Sequence, residues 1–582
     1  MKRILAFLAL FISSMTVADS SSRLDTLTKE IWAFYLQNSP IMATRMGVSG
    51  SDHLLMDLSP ENLQRIHRQE KQFLKQLREI DASELSHSEV ITLTVQELQI
   101  KNEISNYTYG AHLIPFTSEY GFYAELRSLP KIQKFRSKQD YSNYLQRLSA
   151  IPDYFQQQIY WLETGIKKGM TQPREVLEPL PGLVGNFVSE QAQDSVFYGP
   201  FKKQPAFIEE ADWQLLLKQA QDIIQKDINP AYSKLQMFFQ EQYLPKAKQA
   251  LGALSWPNGE AYYQNRVEHY TTTTLAADEI HKLGLDEVAR IRQEMKAVMA
   301  SLSYEGTLAE FIQFLRTDPQ FYAKSEKELL YYAAYLSKKI DSKLPKLFSY
   351  LPRTPYGVAP VPASIAPNYT TGRYISPSND TEAGYYWVNT YALDKRPLYA
   401  LPALTLHEAV PGHHLQIALS QELDNLPNVR RYNYISAFGE GWGLYSEYLG
   451  KEVDFYETPY DEFGRLSYEM WRATRLVVDT GIHTKHWSRQ QAVDYMLENT
   501  ALSEHNVRTE VDRYITWPAQ ALSYKIGELT IKRLRSKAET QLQDKFDIRD
   551  FHKAVLEHGS VPLTVLEENI DMYIQQVKAS NQ

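Results

Sequence analysis

Across residues 60–302, and again from residue 401 to the C terminus, apolar residues recur every three to four positions. Between residues 351 and 391 that rhythm fails. The pattern points to a helical body with one small extended region. Ser59-Pro60 reads as an N-cap followed by proline in the first turn, and Leu63, Ile66, Phe73, Leu74 and Leu77 then repeat at helical spacing. Further helical patterns cover residues 88–107, 141–168, 212–251 and 276–302. Ser488 with Gln491 is a capping box for a helix over 490–499. Residues 352–377 instead mix proline and glycine with Val, Ile, Tyr and Thr, and residues 384–391, GYYWVNTY, are short and β-rich. The expected fold is mainly α with one small sheet. A soft boundary near residue 345 separates an N-terminal helical region, 19–345, from a region 346–582 that holds the sheet and the chemistry. The two are expected to interleave as one unit.

The chain opens MKRILAFLALFISSMTVADS. Lys2 and Arg3 precede an apolar run over residues 4–12, and Thr16-Val17-Ala18 supplies small residues for cleavage after Ala18. This is the three-part pattern of a signal peptide, residues 1–18, and the run is too short to span a bilayer. A soluble exported protein is expected, periplasmic or secreted, with no membrane span. The net charge of −8 argues against a nucleic-acid partner. Cysteine is absent from all 582 residues, which excludes disulfides, thiolate metal sites and a lipid-carrying N-terminal Cys. Any metal must be held by His, Asp or Glu.

The densest set of such groups is the stretch LHEAVPGHHLQ, with His407, Glu408, His413 and His414. Helical zinc hydrolases place two histidines at i and i+4 with a glutamate beside the first as general base. Here Pro411 occupies the i+4 place. On an unbroken helix His413 stands roughly 240° around from His407, and His414 returns to the same face about 10.5 Å along the axis. Pro411 cannot donate to the carbonyl of His407, and Gly412 admits unusual dihedrals. A bulge of two extra residues inside the helix is therefore expected. It turns His413 toward the ion beside His407, with His414 as the alternative ligand. A third protein ligand is needed. AFGEGWGLYSEYL offers Glu440, flanked by Gly439 and Gly441, which follows His413 by 27 positions. That distance suits a helix, a turn and an antiparallel helix. Glu447, two turns on, is a supporting or simply solvated carboxylate. One Zn2+ is expected on His407, His413 and Glu440.

The motif HEAVPGHHLQ followed by FGEGW resembles the bacterial family known as domain of unknown function 885. TRMGVSGSDHLLMDLSPE, GIKKGMTQPREV, LVVDTGIH and RYITWPAQALSYKIGEL extend the resemblance over nearly the whole chain. More distantly it is similar to gluzincin peptidases of the thimet-oligopeptidase and thermostable-carboxypeptidase kind. That similarity implies a two-lobed helical architecture around a deep channel, with a small sheet at its floor. Their HExxGH-like motif, with a glutamate about 25 residues on, again selects His413; this chain has the longer His-to-His spacing. Relatives of this kind use a tyrosine 80 to 100 residues past the third ligand, which implies Tyr524.

The implied reaction is hydrolysis of short peptides, with Glu408 as general base toward a metal-activated water. Tyr524 and His483 are the candidate oxyanion donors, His483 with Asp479 as its orienter. Arg513, Tyr514 and Lys525 are candidate substrate-binding residues, Arg513 through a bidentate grip on a carboxylate. Tyr386 lies in the β-rich segment 384–391, which is expected to pair with an extended peptide. Competing readings are a periplasmic peptide or solute receptor, which requires alternating strand–helix units, a zinc amide or ester hydrolase on a non-peptide substrate, and a non-catalytic metalloprotein scaffold.

Overall fold

A computed structural model describes residues 19–579 apart from 119, 364 and 378–381. The expected signal peptide lies outside the described residues. The helical rhythm becomes helices with the expected caps. Ser59 accepts the Asn62 N–H at the head of the helix Pro60–Arg78, whose buried face carries Leu63, Phe73 and Leu77. Helices His87–Thr108 and Ala277–Ser301 follow the expected spans, and Ser488 and Gln491 form the capping box of Arg489–Asn499. Two expected single helices are broken. The first divides into Lys138–Ser149 and Ile151–Lys168, with Pro152 opening the second. The second divides at Asn229–Phe238, where Pro230 has no N–H to give and a π turn precedes it.

The extended region forms three strands, β1 (Tyr356–Pro360), β2 (Gly372–Ile375) and β3 (Gly384–Val388). β3 is central, parallel to β1 and antiparallel to β2, with Tyr386 opposite both Val358 and Tyr374. The fold is thus mainly helical with one small sheet among the described residues.

One hydrophobic core runs from Leu63 to Ile574 without a break at residue 345. A smaller cluster built on Leu24, Leu27, Ile31, Phe73 and Leu77 ties the first helices together. The helix Pro459–Thr484 is buried along nearly its whole length and packs along Ala277–Ser301. The helices Ser436–Glu452 and Ser523–Leu542 pair beside it. Among the described residues no helix is long and apolar enough to cross a membrane.

Candidate metal centre

The helix Leu401–Glu408 stops at Glu408, and the next, His413–Gln421, begins at His413. The connection is therefore a four-residue turn between two helices, not the expected bulge within one continuous helix. Gly412 explains the difference. Its backbone backs onto the preceding helix so closely that a Cβ there would stand 1.9 Å from the His407 carbonyl oxygen and 2.4 Å from that of Leu406. The His414 N–H closes the turn on the Ala409 carbonyl at 3.1 Å, and Trp442 Nε1 donates to the Pro411 carbonyl at 2.8 Å. The outcome is the one the chemistry needs: the rings of His407 and His413 stand at 88°, with centroids 4.7 Å apart.

Glu440, on Ser436–Glu452, completes the set. Its Oε2 lies 3.3 Å from His413 Nε2 and 3.7 Å from His407 Nε2. The three side chains offer ligand atoms all within 4.8 Å of one another. A tetrahedral ion with bonds of about 2.1 Å spaces its ligands by about 3.4 Å, so the donor set fits such an ion in type and spacing. The surroundings fit it too. His407 Nδ1 is 2.8 Å from Glu447 Oε1, which turns Nε2 toward the cluster in the manner of a carboxylate–histidine–metal relay. The Tyr434 hydroxyl donates to Glu440 Oε1 at 3.0 Å. Burial alone would lower the pKa of His407, but Glu440, Glu447 and Glu408 outweigh it and raise it to about 9. Burial would raise Glu440, but the two imidazoles hold it well below the usual carboxylate range. The cluster is thus built to hold positive charge. His414, the alternative ligand, faces the other way. Its Nδ1 is 3.0 Å from the Tyr374 hydroxyl, its ring lies against Tyr356, and burial lowers its pKa to about 4.

Glu408 is buried beside the cluster, and its Oε2 accepts the Tyr374 N–H of β2 at 2.7 Å. Both face a cavity of about 800 Å3, within the usual size range of small-molecule sites. One wall carries His407, Glu408, His413 and Glu440; another is formed by the N-terminal helices with Tyr35, Glu70 and Glu103. Tyr524 also lines it, its ring 6.3 Å from that of His407 and nearly parallel. Arg513 reaches the Tyr524 hydroxyl at 3.4 Å and Glu510 at 3.2 Å, and the Arg475 guanidinium lies 4.3 Å from the Tyr524 ring centroid.

Four candidates from the sequence do not reach the cavity. His483 is fully buried with both ring nitrogens engaged, Nδ1 by the Ala253 N–H and Nε2 at the Tyr514 carbonyl; burial lowers its pKa to about 4. It ties the short helix Ala253–Ser255 to the helix Glu504–Thr516 and has no free ring nitrogen for substrate. Its expected orienter, Asp479, bonds instead to the Tyr263 hydroxyl and the Ala519 N–H. Tyr514 spends its hydroxyl on Trp471, Arg475 and Glu510. Lys525 is buried among Glu287, Glu469 and Glu528 at 2.8–2.9 Å, a structural ion cluster. Tyr386 points from the central strand into the core toward Thr405. Because β3 has neighbours on both edges, it cannot accept an added strand; β2, whose residues Gly372 to Tyr374 line the cavity, is the strand on that side.

Residues the sequence reading passed over stand in the site. Tyr374 and Tyr434 position Glu408 and Glu440. Arg472 lies 3.3 Å from Glu447, and Trp471 is flanked by the guanidinium groups of Arg472 and Arg475 at 4.4 and 4.5 Å. The available signal was two arginines three residues apart in WRATRLVV, a stretch otherwise apolar enough to be buried.

Fold and site together define a class: a helical protein with a candidate His-His-Glu metal centre in a deep cavity. The chain belongs to the family described as bacterial protein of unknown function, DUF885, whose pattern matches residues 40–570. The solved structure of a candidate lipoprotein from Colwellia psychrerythraea is similar, with 29% identity and a TM-score of 0.89 over 96% of this chain and 100% of that one. A candidate lipoprotein of unknown function from Shewanella oneidensis shares the fold at 18% identity and a TM-score of 0.70, over 95% and 99% of the two chains. No curated protein matches the chain.

Proposed function

We propose that the protein is an exported, zinc-dependent peptidase that hydrolyses short peptides. The observation that carries this reading is the convergence of His407, His413 and Glu440 beside Glu408 on the wall of one cavity. Two imidazoles and a carboxylate are the protein ligands of many catalytic zinc sites, which leave a further position for water. Bound there, the ion supplies Lewis acidity and a water of lowered pKa. Glu408, with Oε2 fixed by the Tyr374 N–H, is placed to take a proton from a water through its other oxygen and return it to the leaving nitrogen. The Tyr524 hydroxyl, held by Arg513, is placed to donate to the carbonyl oxygen as that oxygen gains charge. Arg472, Arg475 and Arg513 share two carboxylates, Glu447 and Glu510, and the excess positive charge on this wall suits a peptide carboxylate. The similarity of the motif to gluzincin peptidases supports the same chemistry. An extracytoplasmic location is supported by the N-terminal pattern and by the description of both structural relatives as candidate lipoproteins.

The test is metal analysis of the purified protein, followed by hydrolysis of a peptide library read by product mass, wild type against Glu408→Gln. About one zinc per chain is expected in both proteins, with turnover at least about 100-fold lower in the variant. Absence of stoichiometric metal, or a variant that cuts the library as well as wild type does, overturns the reading.

A further inference from the structure

Behind the metal-bearing helix lies a second, smaller pocket of about 170 Å3. It is bounded by Leu401 and Leu404 of Leu401–Glu408, by the end of β3, and by the first turn of the helix Glu504–Thr516. Thr371 and Leu404 line both this pocket and the main cavity. The pocket is below the roughly 300 Å3 at which sites for larger organic ligands begin.

Its inner wall offers donors that are only partly engaged. Arg396 is 6% exposed, and its Nε donates to the Tyr391 carbonyl at 3.3 Å. Among the described residues its terminal nitrogens meet no acceptor. Arg316 gives one terminal nitrogen to the carbonyls of Leu497 and Thr500, at 3.2 and 2.6 Å, while its Nε is buried without a partner. Tyr399 is 4% exposed, and its hydroxyl is buried without a partner. The carboxylates in the lining are more than half exposed and already paired, Asp394 with Lys395 at 2.8 Å and Glu504 with Arg508 at 2.7 Å. Their charge acts on Arg396 and Arg316, but among the described residues neither carboxylate accepts a hydrogen bond from these arginines. Burial lowers the pKa of both arginines from the ordinary value. Buried cations and a stranded hydroxyl are unfavourable unless something anionic meets them.

We propose that this pocket binds one small oxyanion, a carboxylate or a phosphate. Arg396 grips it through the guanidinium fork and the Tyr399 hydroxyl donates to it. The positive end of the helix Glu504–Thr516 adds to the field. Leu404 precedes His407 by three residues on one helix, so the occupant braces from behind the element that carries the first candidate ligand. The proposal stands independently of any peptidase activity.

The test is calorimetric titration of the full-length protein with inorganic phosphate and, separately, with acetate, at matched ionic strength in sodium chloride. Wild type is compared with Arg396→Gln and Tyr399→Phe. Saturable binding of one anion per chain is expected. Binding falls at least about tenfold in Arg396→Gln and several-fold in Tyr399→Phe. The anion-free Tm of Tyr399→Phe is expected to equal or exceed that of wild type, because the ring stays and the stranded hydroxyl goes. Stronger binding of one anion identifies which oxyanion the pocket takes. No saturable binding of either anion overturns the proposal, as does binding that both variants retain unchanged. Should Arg396→Gln fail to fold, Tyr399→Phe decides the matter alone.

Discussion

Glu447 touches no substrate-facing surface of the candidate centre, yet it decides how His407 is presented. Its Oε1 accepts from His407 Nδ1 at 2.8 Å and lies 3.3 Å from Arg472. Losing such an orienting partner typically weakens a metal about 10- to 100-fold. Glu447→Gln is therefore expected to lose zinc to a chelator at a concentration that leaves wild type loaded. The pKa of His407 adds a pH signature. In the metal-free protein it is raised above the ordinary value to about 9. The stability gained from its proton is complete below about 6.5 and lost as pH rises through about 9. Metal binding must displace that proton, so affinity rises over the same interval. The Tm gap between metal-loaded and metal-free protein is expected to widen from pH 7 to pH 9.5; a constant gap counts against the ligand assignment. Residues of this kind were partly legible in the sequence. His407, Glu408, His413 and Glu440 announced themselves by density and type. Glu447 was visible only as an ambiguous carboxylate, because its role depends on a hydrogen bond to a helix forty residues away.

At the scale of elements, the site depends on two close approaches. One is the turn at Gly412, a break that the Pro-Gly pair signalled, although it separates two helices and is not a bulge within one. The other is the crossing of Ser436–Glu452 and Ser523–Leu542. There a Cβ on Gly527 would stand 1.9 Å from the Ala437 carbonyl oxygen, and one on Gly441 would stand 2.5 Å from the Gly527 Cα. This contact sets the distance between the helix that carries Glu440 and the helix that carries Tyr524. Gly527→Ala must push them apart, an overpacking that costs about 1–3 kcal/mol. The candidate ligands lie on other elements or on the near helix, so zinc content is expected to persist. Tyr524 retreats from His407, so peptide turnover is expected to fall together with Tm. A variant with normal turnover would show that Tyr524 has no part in the reaction. Sequence periodicity marked both helices, but no pattern along one strand of text states which glycine meets which. The misplacement of His483, Tyr514, Lys525 and Tyr386 has the same origin. Helical neighbours of Tyr524 and Arg513 point to other faces, and a β-rich segment reads alike whether it becomes an edge strand or a central one.

For the whole molecule, the cavity is closed on one side by the helices Ser20–Asn38, Pro60–Arg78 and His87–Thr108, which face the helices that carry the candidate ligands. Tyr35, Glu70 and Glu103 come from helices that precede the centre by more than 300 positions, yet they share its cavity. Nothing in their local sequence marks them, since a half-buried glutamate on a helix reads as a solvated one. Their placement has a consequence for selectivity. Burial, with the nearby charge of Glu103, raises the Glu70 carboxyl to about 8. Below that pH the wall formed by the N-terminal helices carries less negative charge than above it. A cationic substrate side chain is therefore favoured as pH rises through about 8. With N-acetylated peptides, whose terminal amine cannot titrate, the ratio of kcat/KM for an arginine-containing peptide to that for its glutamine counterpart is expected to increase between pH 7 and pH 9. Arginine keeps its charge throughout that range, so the change reports the protein. Glu70→Gln removes the carboxyl that titrates near 8, and in that variant the ratio is expected to rise less with pH than in wild type. A wild-type ratio that does not move, or a variant that follows the wild-type curve, would mean that this wall lies outside the path of the substrate and that selectivity is set at the cationic side of the cavity alone.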